Sequence, residues 1–389
     1  MTTPTGTTLN FGPWYRRSPF FDATLRAGCS AYDVYQHMLH PNTYGDPVEE
    51  YWAHVNDVTL WDVAVERIVE ITGPDASTFT NLLTCRDLSS CEVGQGKYML
   101  ITASDGGIVN DPVLLRIEAD RWWLALADSD AGLYAMGVAV HSGMDVHVGH
   151  PEVYPVQVQG PRSKDVMRDL FGDRILDLRY YRCEQTDLEG SIPVVISRTG
   201  WTAVVGYEIY LRDPGRGDDL WERILDAGKP YGIRVTPSSD IRRIEAGIFD
   251  WGSDFGLETN PFEVTGLERL VEEQEADYIG KEALERIRRE GVSRKLVGIE
   301  LDGDPVDQPT QHWPAFVNGE RVGHVTDACW SPRLEKNIGY VWVPTELSEP
   351  GNAIDVESET GTMRGRTAII PFVDPRKERP AQALQGATG

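Results

Sequence analysis

The chain has 389 residues, long enough for more than one folding unit, since single hydrophobic cores stop growing at roughly 250–300 residues. Its 41% hydrophobic and 25% charged residues exclude a disordered or fibrous protein. With 61 acidic against 37 basic residues and a formal net charge of -24, nucleic acid and anionic membrane surfaces are excluded as main partners, because phosphates would be repelled.

Residues 1–17 are rich in Thr, Gly and Pro and read as a flexible arm, without the basic and apolar regions of a secretory leader. No apolar run approaches the roughly 20 residues that span a bilayer. Cys29, Cys85, Cys91, Cys183 and Cys329 are scattered and odd in number, the pattern of reduced thiols, so a cytoplasmic protein is expected.

Val69-Glu70-Ile71-Thr72-Gly73-Pro74 reads as an alternating strand closed by Gly-Pro, and a helical pattern, DASTFTNLL, follows. Val156-Gln157-Val158-Gln159-Gly160-Pro161 repeats that design before RSKDVMRDLF. Proline suits a first helical turn, where its missing N–H would be unpaired anyway. Two related α+β subdomains are therefore expected within residues 18–292. KEALERIRR predicts a helix over 281–289, ended by Gly291. Beyond it come short strands, LVGIEL, RVGHVTDA, IGYVWV, AIDVES and TAIIPF, with a hairpin signal at Asn318-Gly319. An all-β domain over 293–375 and a disordered tail over 376–389 are expected.

The phosphate-cradling, metalloprotease, CxxC and nucleophile-elbow motifs are absent. His37-x-x-His40 and His147-x-x-His150 have ligand-like spacing but no acidic or thiol companions in a recognisable frame, so no metal is expected. Glu208 lies on the alternating strand Val205-Gly206-Tyr207-Glu208-Ile209-Tyr210, just after a loop carrying Trp201. A carboxylate among strand aromatics can accept two N–H donors from a flat heterocycle, or it can be a salt-bridged surface glutamate. Asn110-Asp111-Pro112 reads equally as a site or a turn, and Arg243-Ile244-Glu245-Ala246-Gly247 as a site or a helix face.

The ordered set of pieces resembles the folate-dependent family of the glycine cleavage T-protein, the aminomethyltransferases. The pieces are GPDA (Gly73–Ala76), GGIVNDP (Gly106–Pro112), RTGW…GYEI (Arg198–Ile209), RIEAG (Arg243–Gly247), NPFEVTGL (Asn260–Leu267), DYIGKEAL (Asp277–Leu284), VGHVT (Val322–Thr326) and SP (Ser331–Pro332). Two positions depart from the T-protein pattern: Val204 replaces a loop glutamate, and Asn110 replaces the first of two aspartates. RSPFFDATLRAGCSAYDVYQHMLHP (Arg17–Pro41), WDVAVER (Trp61–Arg67) and WGSDFG (Trp251–Gly256) are similar to the dimethylsulfoniopropionate demethylase branch.

The resemblance implies an α+β fold of three domains around a central channel, the last a β-barrel or jelly-roll-like domain. It implies tetrahydrofolate as the cofactor, with Glu208 on the pterin edge, Trp201 and Tyr210 flanking the ring, and Tyr98 nearby. Asp111 and Asn110 are expected at the reacting nitrogen, and Arg243 at the folate tail or bracing the site. Tyr32, Tyr35, Trp61 and Trp201 are expected to receive a small methyl donor. The implied activity is a tetrahydrofolate-dependent demethylase, with dimethylsulfoniopropionate as donor and 5-methyltetrahydrofolate and methylthiopropionate as products. Its rivals are demethylation of a methyl ether or methylamine, true aminomethyl transfer, and a non-catalytic folate-binding role.

Overall fold

In the computed structural model, which describes residues 12–376 and 378–382, the two strand–Gly-Pro–helix segments seed two separate sheets. Ile68–Thr72, followed by the helix Ala76–Leu82, lies between His147–Gly149 and Arg121–Ala125 in a five-stranded sheet. Val113–Glu118 and Gly96–Tyr98 complete that sheet. Tyr154–Gln159, followed by the helix Ser163–Phe171, lies between Gly206–Leu211 and Thr59–Asp62 in a six-stranded sheet. The shared turn has a steric cause. Gly73 and Gly160 sit at φ +125° and +124°, and a Cβ on either would lie 2.5 Å from a backbone oxygen, of Asp145 and Asp57 respectively. Only glycine accepts both the dihedral and the close approach.

The sheets meet through side chains that alternate along their strands. Trp122 packs with Phe79 and Leu124 under the helix of its own unit. Its neighbour Trp123 points the other way and joins Ile68, Leu115, Val195 and Tyr210 between the sheets. The Trp123 and Tyr210 rings are 6.1 Å apart, so Tyr210 is anchored from behind by apolar packing.

The helix Lys281–Glu290 ends at Gly291, whose φ of 80° suits a glycine at the stop. A closed six-stranded barrel follows, in the order Arg294–Leu301, Lys336–Pro344, Glu320–Ser331, Trp313–Val317, Ala353–Ser358, Gly361–Ala368. Asn318 and Gly319 both take positive φ, 53° and 82°, as a two-residue hairpin turn requires. The last strand stops at Ala368, so the IIPF that was expected to continue it leaves the barrel through a cis Ile370–Pro371 bond. The barrel is fastened to the first region by polar contacts: Tyr340 Oη donates to Ile248 O at 3.0 Å, and Trp342 Nε1 to Asp254 O at 2.9 Å.

Of the arm expected over 1–17, residues 1–11 lie outside the described residues, while Arg16 N donates to His37 O at 2.8 Å. Of the tail expected to be disordered, Glu378–Ala381 form a helical turn with Pro380 buried, and Arg198 Nη2 donates to Pro380 O at 3.0 Å. Residues 377 and 383–389 lie outside the described residues. Among the described residues no helix is long and apolar enough to cross a membrane, and all five cysteines are free and buried.

Candidate functional site

Where the two sheets and the barrel converge they enclose a cavity of about 1230 Å³. That exceeds the ~300–1,000 Å³ typical of one small-molecule site, leaving room for two ligands side by side. Five of the sequence-expected residues line it directly: Tyr35, Tyr98, Asp111, Trp201 and Glu208.

Glu208 belongs to Gly206–Leu211, a strand flanked by partners on both sides, and its side chain is 3% exposed. Its Oε2 accepts from Thr199 Oγ1 at 2.7 Å and from Tyr210 Oη at 2.6 Å. Burial pushes its carboxyl above the usual range, while the two hydroxyl donors pull it back. Tyr210 itself is fully buried and does not line the cavity, so it acts on the wall through Glu208.

Asp111 forms a second pole. Its Oδ2 accepts from Tyr98 Oη at 2.8 Å, while Oδ1 is buried without a partner. Burial pushes this carboxyl up to about 8, with Asp250 and Asp254 adding to the effect and the Tyr98 bond opposing it. The adjacent Asn110 faces the other way. Its Nδ2 donates to Ala127 O at 2.9 Å and Ser129 Oγ at 2.8 Å, and its Oδ1 accepts from Ala127 N at 3.1 Å. Expected at the reacting centre, Asn110 is instead fully buried and ties down the chain beside Asp111.

Three further expectations are corrected by the geometry. Arg243, expected at the folate tail or bracing the site, is 1% exposed and does not line the cavity, which leaves the bracing alternative. It is held by Asp240 at 2.8 Å, Asp254 at 3.0 Å and Asp327, with its guanidinium 5.4 Å from the Trp201 ring centroid, so it supports the wall from behind. Trp61 donates from Nε1 to Thr236 Oγ1 at 2.8 Å and stacks near His54 in the interior. Tyr32 bonds Thr24 Oγ1 at 2.7 Å and packs on Phe21, also away from the cavity.

Several lining residues were not singled out from sequence. Glu66 and Trp251 stand inside motifs that carried the family resemblance, WDVAVER and WGSDFG, but had no role assigned. Gln157 stands in the repeated strand, where a polar residue between two valines was the available signal. Asp250, pushed up to about 7 by burial against the opposing pull of Arg243, and the tyrosine pair Tyr180 and Tyr181 also line the cavity. Arg269 lines it too, exposed and with no ion pair among the described residues. No group of three or more His, Cys, Asp or Glu side chains among the described residues could hold a metal ion. His40 bonds Asp33 at 3.1 Å, and His150 meets the Ile68 carbonyl at 3.0 Å.

Residues 20–275 match the GCVT N-terminal domain, and residues 294–374 match the glycine cleavage T-protein C-terminal barrel domain. The chain belongs to the glycine cleavage T-protein family. It is 35% identical to a dimethylsulfoniopropionate demethylase of Ruegeria pomeroyi, over 89% of this chain and 94% of that protein. It is 31% identical to a probable aminomethyltransferase of Pyrococcus abyssi, over 87% of this chain and 92% of the other. The glycine cleavage system aminomethyltransferase T of Bartonella henselae shares the fold, with a TM-score of 0.82 over 93% of this chain and 99% of that one, at 22% identity.

As a member of this family the chain is a tetrahydrofolate-dependent, methyl-transferring enzyme. The cavity fits such a co-substrate. It has the volume, flat aromatic walls at Trp201 and Tyr98, and two orphaned buried acceptors, Asp111 Oδ1 and Gln157 Oε1, suited to N–H donors.

Proposed function

We propose that this enzyme demethylates a small sulfonium compound, dimethylsulfoniopropionate in the first instance, and delivers the methyl group to tetrahydrofolate. The observation that carries the reading is the make-up of the cavity's interior. Tyr35, Tyr98, Trp201 and Trp251 stand on its wall, with Asp250 beside them. Carboxyl groups and aromatic faces hold a cation out of water, each face contributing roughly 0.5–2 kcal/mol. The greater identity to a dimethylsulfoniopropionate demethylase than to the aminomethyltransferases supports the same donor.

When bound, tetrahydrofolate supplies the nucleophilic nitrogen that accepts the methyl group. Glu208, fixed by Thr199 and Tyr210, holds its pterin edge, and Trp201 covers the ring. A sulfonium donor asks little else of the protein. Its S–CH3 bond breaks with the electron pair passing to sulfur, so the leaving group is a neutral thioether that needs neither an acid nor a metal. The new N–CH3 bond would cost the nitrogen a proton, which Asp111 can take at Oδ1 in its ionised form, a form that gains population as pH approaches about 8. Alignment is the remaining task, with reacting atoms held about 3–3.5 Å apart, and Tyr35, Trp251 and Tyr98 are the side chains that set the donor's position. Asn110 acts only by positioning Asp111. Aminomethyl transfer, which must release ammonia, asks for more proton movement, and Val204 and Asn110 stand where the T-protein pattern carries carboxylates. The buried thiols agree with a cytoplasmic enzyme.

Incubation with tetrahydrofolate and, separately, dimethylsulfoniopropionate, glycine betaine, a vanillate-type methyl ether and an aminomethylated lipoyl carrier tests the reading. Methylated folate is expected from the sulfonium alone. Turnover of the ether or betaine without the sulfonium would move the enzyme to another demethylation, and ammonia release from the lipoyl carrier would make it an aminomethyltransferase.

A further inference from the structure

The strand Tyr154–Gln159 buries two glutamines, and only one of them is satisfied. Gln159 donates from Nε2 to Thr202 Oγ1 at 3.1 Å and Val204 O at 3.2 Å, and its Oε1 accepts from Gln157 Nε2 at 2.9 Å. Gln157 Oε1 has no partner, although the residue is 0% exposed and lines the cavity. An amide oxygen buried and unpaired is destabilising by about 1–3 kcal/mol, so one kept on a cavity wall points to a donor that arrives with a ligand.

Its neighbours indicate what kind of ligand. Gln157 is paired directly with Glu208 on the adjacent strand, and side chains so paired leave the sheet on the same face. Glu66 completes the group. It lines the cavity, no hydrogen bond reaches its carboxyl among the described residues, and it stands near enough to Glu208 to feel that residue's charge and near enough to Tyr35 and Tyr210 to influence them. Burial first, and then the nearby Glu208, raise its proton affinity well above that of an ordinary glutamate. A neutral carboxyl is a hydrogen-bond donor. The wall therefore presents acceptors at Glu208 and Gln157 and a donor at Glu66.

We propose that Gln157 and Glu66 read the bound heterocycle beside Glu208, with Gln157 Oε1 accepting one of its edge N–H groups and the Glu66 carboxyl facing an acceptor on the same edge. The inference rests on the folate reading of the cavity and adds two residues to it. A reduced pterin has the matching edge, where amino and ring N–H donors stand next to a carbonyl oxygen. A ligand with a purely hydrophobic edge would leave the Gln157 oxygen and the Glu66 carboxyl unpaired.

The test is calorimetric titration of the full chain with tetrahydrofolate and no methyl donor, together with melting in the presence and absence of that ligand. Gln157→Leu should bind about 10-fold more weakly or worse. Its ligand-free melting temperature should stay close to the wild type, because the change removes one orphaned oxygen and creates another at Gln159. Glu66→Gln keeps a donor and should bind within about threefold of the wild type, whereas Glu66→Leu should lose about 10-fold. Should Gln157→Leu melt early, the contrast between Gln and Leu at position 66 carries the test. Binding by Gln157→Leu and Glu66→Leu within twofold of the wild type would overturn this inference and leave the folate reading intact. A wild type that takes no tetrahydrofolate would overturn both.

Discussion

The cavity wall and the ion cluster behind it hold the same kind of group in opposite conditions. Behind the wall, Arg243 is surrounded by Asp240, Asp254 and Asp327, and Asp254 also accepts from Thr326 Oγ1 at 2.6 Å. There all three carboxylates meet the same guanidinium. On the wall, Asp111 has one hydroxyl donor and a spare oxygen, the Glu66 carboxyl has no hydrogen bond among the described residues, and Gln157 keeps an orphaned acceptor. The difference teaches which polar groups serve the fold and which wait for a ligand. A buried charge that is fully paired cannot also recognise a substrate, however well its sequence frame suggests that it should.

The largest expected effect is on the paired side. Arg243→Ala leaves Asp254 and Asp327 buried without a counter-charge, and should destabilise the protein by about 3–5 kcal/mol in denaturant unfolding. A variant of unchanged stability that had lost only folate affinity would return Arg243 to the ligand and erase the contrast.

On the wall the expected effects fall on binding. Glu208→Ala removes an acceptor for buried N–H donors and should weaken tetrahydrofolate binding by about 1–3 kcal/mol, read by calorimetry. Its ligand-free stability should change far less than that of Arg243→Ala. Equal affinity in Glu208→Ala and wild type would detach Glu208 from the pterin.

Asp111 gives the effect with the sharpest sign. Its carboxyl is raised to about 8, so the folded state holds its proton more tightly than the unfolded chain. That contribution to stability is full below the ordinary carboxylate range, near ~4, and is lost as pH rises through about 8. Asp111→Asn cannot lose it. The variant and wild type should melt alike near pH 4, and the variant should melt progressively higher toward pH 8 and above. Asp250 and Asp327, both raised to about 7 mainly by burial, keep a residual alkaline decline in the variant. Parallel melting curves across that range would show that Asp111 is solvated.

How far these roles could be read from the sequence follows the range of the interactions. The Gly-Pro turns and the Asn318-Gly319 hairpin were legible because backbone dihedrals dictate glycine locally. Glu208 was legible through the family resemblance, since strand alternation alone left it equally a surface glutamate. For Arg243 the sequence left a folate contact and a bracing role unseparated, because its partners Asp254 and Asp327 come from a loop and a barrel strand that only the fold brings together. Trp61 and Tyr32 lie in the right segments but turn inward, to Thr236 and Thr24, a choice no spacing rule reveals. Gln157 and Glu66 escaped notice for the opposite reason. Their significance lies in partners they lack, and an unmet hydrogen bond leaves no mark on a sequence.

The most direct test of the account follows the methyl group itself. Dimethylsulfoniopropionate carrying carbon-13 in its S-methyl groups, incubated with the enzyme and tetrahydrofolate, should yield one labelled methyl on folate nitrogen for each methylthiopropionate formed, as read by NMR. Label that stays in the donor, while a methyl ether or methylamine supplied in the same way passes its label to folate, would contradict it.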